Sequence, residues 1–186
     1  MVAGVGSIAA TTDAEEFVGE VYALDPTLTG ERRPADASRS LLSLGAGVSG
    51  AITSWDGDGD GIAELIAGED IAEAVLRFAS PWVGDLTPDD AVTVWQGDPA
   101  DELGVHDLRG LADLTGDGLG ELGMSAATRD DPVERAGALY VVEGGDLASG
   151  PAEDVAIQLH GTRSVRRWVP LSPPPTSTAT GRSTSP

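Results

Sequence analysis

Short apolar runs of four to six residues punctuate the chain: VYAL at 21–24, LIAG at 65–68, VTVW at 92–95, LGMSA at 122–126, LYVV at 139–142 and AIQLHG at 156–161. Each is bounded by Gly, Asp or Pro, and runs of that length closed by turn formers predict strands rather than helices. Two segments stand apart from this pattern. DIAEAVLRFAS (70–80) is open to a short helix or a bulged strand, ADASRSLLSL (35–44) is the other exception, and neither recurs.

The strands recur in a fixed order. Setting WDGDGDGIAEL (55–65) on ADLTGDGLGEL (112–122) aligns Asp56 with Asp113, Asp60-Gly61 with Asp117-Gly118 and Glu64-Leu65 with Glu121-Leu122, an offset of 57 residues. The same shift pairs Gly47-Val48 with Gly104-Val105. GEVYALDP from Gly19 returns as GALYVVEGG from Gly137, 118 residues on, with DAVTVWQGDP from Asp90 as a looser middle copy. A period near 60 with about four short strands per unit predicts an all-β chain of β-propeller-type blades, each of four antiparallel strands. About two blades are full and two partial, an incomplete propeller: VAGVGS (2–7) matches LIAGED without an acidic loop before it, and AIQLHG opens a further unit. Residues 1–162 are expected to form these repeats. Residues 163–186, with arginines scattered among Ser, Thr and Pro and no acidic residue, are expected to be a disordered tail. So abrupt a change of composition is also what a truncated or frame-shifted end would give.

Composition narrows the partners. An apolar fraction of 40% suffices for a core. Against 31 acidic residues stand 11 basic ones, all arginine, and a net charge of −20 argues against nucleic acid and anionic membranes while suiting cations or basic partners. Without cysteine there is neither a disulfide framework nor a thiolate metal site. No apolar run approaches the roughly 20 residues of a membrane-spanning helix, and the opening MVAGVGSIAATTDAEEF lacks the basic start of a signal peptide.

The acidic glycine loops carry the candidate chemistry. Carboxylates as close as Asp56, Asp58 and Asp60 repel by roughly 4 kcal/mol per pair at 4 Å unless a positive charge lies between them. A solvated acidic turn that needs no ion is the competing reading of a single loop; two aligned copies point to a cation. Calcium takes 6 to 8 oxygen ligands, which alternate residues of a tight loop supply. In the first loop these are the side chains of Asp56, Asp58, Asp60 and Glu64 with the backbone carbonyl of Ile62. In the second they are Asp113, Thr115, Asp117 and Glu121 with the carbonyl of Leu119, and the hydroxyl of Thr115 predicts weaker binding there. An EF-hand needs a bidentate acid at its twelfth position, where the two loops hold Ala67 and Met124.

The pattern D-x-[D/N/T]-G-D-G-x-x-[D/E]-L, an apolar strand, then G-x-[L/V]-Y, resembles the FG-GAP repeats of the integrin alpha-subunit propeller and of many bacterial surface proteins. The resemblance covers residues 2 to about 161. It departs in LIAGED and LGMSAA, which stand in for the family's Gly-Ala-Pro, and in glutamate in place of aspartate as the last loop ligand. It implies four-stranded blades with structural Ca2+ in a hairpin loop, in a non-catalytic extracellular or cell-surface binding or adhesion module. Its ligand is a protein or carbohydrate, and further blades of a longer chain or self-association would complete the ring. The competing expectation is part of a propeller-fold enzyme, a polysaccharide lyase or phospholipase-like hydrolase, whose catalytic residues lie outside this chain.

Other motifs carry less. GAGVSG (45–50) leaves no room for the helix that a dinucleotide site requires. His106 and His160 are read as packing or surface residues, Asp89-Asp90 and Asp130-Asp131 as solvated loop acids, and Trp82 and Trp95 as packing rather than a carbohydrate platform. No serine sits in a nucleophile-elbow context, and with neither cysteine nor clustered histidines no catalytic residue is expected.

Overall fold

The computed structural model describes residues 5–11, 17–23, 39–44, 51–70, 72–99, 101–130 and 134–162. The expected tail from 163, residues 2–4, residues 35–38, the glycine segment 45–50 and Asp131 lie outside them. Among the described residues the chain is all-β apart from one short helix and a 3-10 turn, and no helix is long and apolar enough to cross a membrane.

Strands β1 (Val5–Thr11), β2 (Phe17–Ala23) and β3 (Arg39–Leu44) form a three-stranded antiparallel sheet. In the second sheet β4 (Ile52–Trp55), β5 (Glu64–Glu69), β6 (Ala74–Phe78) and β7 (Thr93–Gln96) run up and down in sequence order. The third begins in the same way with β8 (Leu103–Gly110), β9 (Leu122–Ala126) and β10 (Ala138–Val142). The chain then crosses back, and the two-residue β11 (Gly150–Pro151) pairs parallel with β7 of the second sheet. After the four-residue helix α1 (Ala152–Val155), β12 (Ile157–His160) completes the third sheet beside β10. The acidic loops join β4 to β5 and β8 to β9.

Three of these strands differ from the pattern read in the sequence, the first being β3, a regular strand in the segment 35–44 that stands apart from the strand pattern. Residues 74–78 form a strand in unbroken register with β5, so neither the helix nor the bulge is present. VTVW is also not the middle copy of VYAL and LYVV. It is β7, the last strand of its meander, and the counterpart of β10 is β6, AVLRF. Arg77 interrupts the apolar run of β6 and hides the relation.

The sheets stack face to face, and always in the same sense. Leu65, Ala67, Leu76 and Phe78 of the second sheet share a core with Trp82 and with Val21 of the first. On the opposite face, Ile66, Val75 and Trp95 share the larger core with Leu122, Met124, Tyr140 and Val142 of the third. Leu122 and Met124 are the repeat equivalents of Leu65 and Ala67, so each sheet turns its corresponding face toward the sheet before it. This explains why every residue of β5 is buried: a strand covered on both faces reads as a continuous apolar run, its alternate side chains divided between two cores.

Gly68 and Gly104 set how closely the second and third sheets approach. Ala51 donates to the Gly104 carbonyl (3.0 Å) and accepts from Gly68 (2.9 Å), and a Cβ on Gly68 would fall onto that same Gly104 carbonyl. Gly104 itself has φ +68°, a left-handed conformation that favours glycine. Gly68→Ala is expected to lower the unfolding free energy by about 1–3 kcal/mol through overpacking, and an unchanged denaturant midpoint would exclude this close approach.

Glu69, at the end of β5, is 6% exposed, and burial raises its carboxyl above the ordinary value of 4.5, with Asp89 adding repulsion. Because the folded-state value is the higher one, ionising Glu69 costs stability as the pH rises through it. Glu69→Gln is therefore expected to melt higher than the native chain at pH 7. The gap should close as the pH falls below 4.5, and a gap of constant size would show that charge burial is not its cause.

Candidate metal centres

Both acidic loops are built from the same hydrogen bonds. In the first, Asp56 Oδ2 accepts from the Gly61 N–H (3.0 Å), Asp60 Oδ1 from Ile62 (2.7 Å) and Glu64 Oε2 from Gly57 (2.9 Å). In the second, the equivalents are Asp113 Oδ2 from Gly118 (2.9 Å), Asp117 Oδ1 from Leu119 (2.8 Å) and Glu121 Oε2 from Leu114 (2.8 Å). The glycines match as well: Gly59 and Gly61 have φ +74° and +86°, and Gly116 and Gly118 have +86° and +94°. Two left-handed turns in five residues fold the loop back on itself, so carboxylates spaced along the chain converge.

Converge they do. One oxygen each from Asp56, Asp58, Asp60 and Glu64 lies within 4.8 Å of the others, and the same holds for Asp113, Asp117 and Glu121. Each cluster could hold a metal ion. The glutamates are the informative members. Glu64 opens β5 and Glu121 immediately precedes β9; both are only 1% exposed, one oxygen of each is tied to the loop backbone, and the other, Oε1, has no hydrogen-bond partner among the described residues, nor has Asp56 Oδ1. A buried charged oxygen without a partner costs several kcal/mol; an ion in the first cluster would satisfy Asp56 and Glu64, and one in the second would satisfy Glu121. The donors are all oxygen, which suits a hard cation.

The other expected ligands are less engaged. Thr115 is exposed at the third position of the second loop. The Ile62 carbonyl accepts from the Ser80 hydroxyl (2.9 Å), which leaves it one lone pair. Leu119 lays its side chain over Gly59 of the first loop and against Gly144.

Electrostatics single out one carboxylate in each loop. Burial raises the Glu64 carboxyl above its ordinary value, opposed first by the Gly57 N–H and then by Arg77. Asp113, by contrast, is held below the usual carboxylate range by the N–H groups of Gly116 and Gly118. Arg77 was not among the expected site residues. Its side chain, 9% exposed, places Nη2 3.4 Å from Asp58 Oδ2 and Nε 3.6 Å from Glu64 Oε2. The available signal was an arginine inside an apolar strand, at AVLRF.

The two loops also touch. Trp55, beneath Gly57 of the first loop, donates its indole N–H to the Gly120 carbonyl of the second (2.8 Å), and Gly145 donates to Gly57 (2.8 Å). Trp55, Asp56, Gly59, Leu111 and Leu119 help line a groove of about 390 Å³ between them.

The remaining motifs have structural partners. Trp82 and Trp95 are buried, 5% and 0% exposed, and are not a carbohydrate platform. Asp90 accepts from the Thr87 N–H and hydroxyl (2.8 and 2.9 Å), Asp130 accepts from the Arg135 N–H (2.8 Å), and His106 meets Glu102 (2.8 Å). Arg129, 8% exposed, joins Asp98, Asp101 and Glu153 at 3.2, 2.7 and 3.3 Å and lies over Tyr140, tying α1 to the β7–β8 connection.

No protein-family model matches the chain, and no curated protein matches it significantly in sequence.

Trp55→Phe keeps an aromatic side chain in the core but removes the inter-loop hydrogen bond, worth about 1 kcal/mol, together with the packing of the larger ring. It should speed amide exchange at Gly118 and Leu119 of the second loop. Exchange unchanged there, with the protein still folded, would mean that the loops are not joined through this bond.

Proposed function

We propose that the chain is a calcium-binding repeat module of the FG-GAP type, a set of β-propeller blades with a structural Ca2+ in each acidic loop. The ligands are Asp56, Asp58, Asp60, Glu64 and the Ile62 carbonyl in one loop, and Asp113, Thr115, Asp117, Glu121 and the Leu119 carbonyl in the other. The observation that carries this reading is the pair of buried, partnerless Oε1 atoms of Glu64 and Glu121, at equivalent positions of two loops with the same hydrogen bonds. One such atom could be a local accident of packing. Two, 57 residues apart, make a repeated site.

The same-sense stacking of the sheets supports a blade arrangement, because equal faces meeting in order are what a ring of repeats requires. Leu139, Ile157 and Leu159 on the far face of the third sheet are 37%, 51% and 57% exposed. By strand register they correspond to Val75, Thr93 and Trp95 of the second sheet, which lie at 0%, 1% and 0% beneath the third. That face is the seat for a further sheet of the same kind.

The module works by binding rather than catalysis, outside the cell or on its surface, where Ca2+ sites of about 10⁻⁴–10⁻³ M affinity are filled. Its partner is a protein or carbohydrate; the net charge of −20 disfavours nucleic acid. Calorimetric Ca2+ titration of the chelated protein, beside the Asp56→Ala, Asp113→Ala double variant, tests the metal sites. Binding heat is expected from the native chain and none from the variant, and equal heats from both would overturn the reading.

A further inference from the structure

We infer that Arg77 is a built-in counter-ion which makes the two cation sites unequal: it supports the first loop when no metal is bound and weakens that loop's hold on the metal. The inference rests on the two loops being Ca2+ sites, as proposed above.

The first loop offers four carboxylates and the second three, so charge alone would favour the first. Arg77 removes that advantage. It lies opposite Ile66 on β5 and opposite Thr93 on β7, and Thr93 Oγ1 accepts from Nη1 at 3.5 Å. From there the guanidinium reaches Asp58 and Glu64 at 3.4 and 3.6 Å, bringing the four-carboxylate site to the same formal charge, minus three, as the three-carboxylate one. An incoming divalent ion must share Asp58 and Glu64 with a fixed positive charge or push it aside, and either lowers affinity.

The second sheet's device has no copy in the third. Ile66 pairs with Arg77 across β5–β6, and the equivalent pair across β9–β10 is Gly123 with Val141. Val141 is apolar and 7% exposed, so Glu121, buried as deeply as Glu64, has no arginine at the matching position. Without metal, the charge of Glu64 is offset from within the sheet, whereas Glu121 is held by the Leu114 N–H of its own loop and forms no ion pair among the described residues.

Ca2+ titration in an Asp113→Ala, Asp117→Ala background isolates the first loop. There R77Q is expected to bind about tenfold tighter than the chain with native Arg77, and R77K, which keeps the charge, within about threefold of it. Equal affinity for R77Q and the native arginine overturns the inference. Absence of Ca2+ binding with either, and with the fully native chain, overturns instead the reading on which it rests. A measurement on the native chain alone avoids any variant that fails to fold. In chelator, the amides of Gly57, Gly61 and Ile62 should exchange at least tenfold more slowly than their equivalents at Leu114, Gly118 and Leu119. Ca2+ should then protect the second set more than the first. Equal protection of both sets in chelator overturns the inference.

Discussion

A carboxylate buried at the root of a strand has to be balanced, and the local structure is organised around that requirement. Glu64 and Glu121 stand where loop becomes sheet, each reaching back to the first N–H groups of its own loop. That contact fixes the loop's width, and the width decides which aspartates converge. The left-handed glycines serve the same end, turning the chain back so that the leading aspartate and the glutamate meet. What remains unbalanced is one oxygen on each glutamate, which an ion in its cluster could satisfy.

The stacking of the sheets transmits that local order. Because β5 is buried on both faces, Glu64 cannot move without disturbing Leu65 in one core and Ile66 in the other. Trp55 adds a direct tie, packing within the core while its indole N–H holds the neighbouring loop. Carboxylates held in this way before an ion arrives would avoid part of the ordering cost of binding one.

Much of this was legible in the sequence, for definite reasons. The strands were marked by short apolar runs between turn residues, and the loops by a spacing repeated 57 residues on. Like β3, strand β6 lay in a segment set apart from the strand pattern. Its counterpart role was assigned to VTVW because VTVW alternates cleanly, whereas Arg77 spoils AVLRF. That same residue was absent from the expected site, because a salt bridge to Asp58 across 19 residues depends on strand register, which composition does not reveal. The inter-loop bond from Trp55 to Gly120 spans 65 residues and was invisible for the same reason. The short β11 was missed because Gly-Pro carries no strand signal at all; it is a strand only because an edge was waiting for it.

That two-residue strand has a further consequence. By pairing with β7, Gly150 and Pro151 cover part of the outer edge of the second sheet with chain that belongs to the third. An exposed edge invites pairing with other molecules, and Pro151, which lacks an N–H, also limits how far that edge can be extended. The two sheets therefore share an order of assembly. The second acquires its finished margin only once the chain has been made and folded as far as residue 151, so these units mature together rather than one by one.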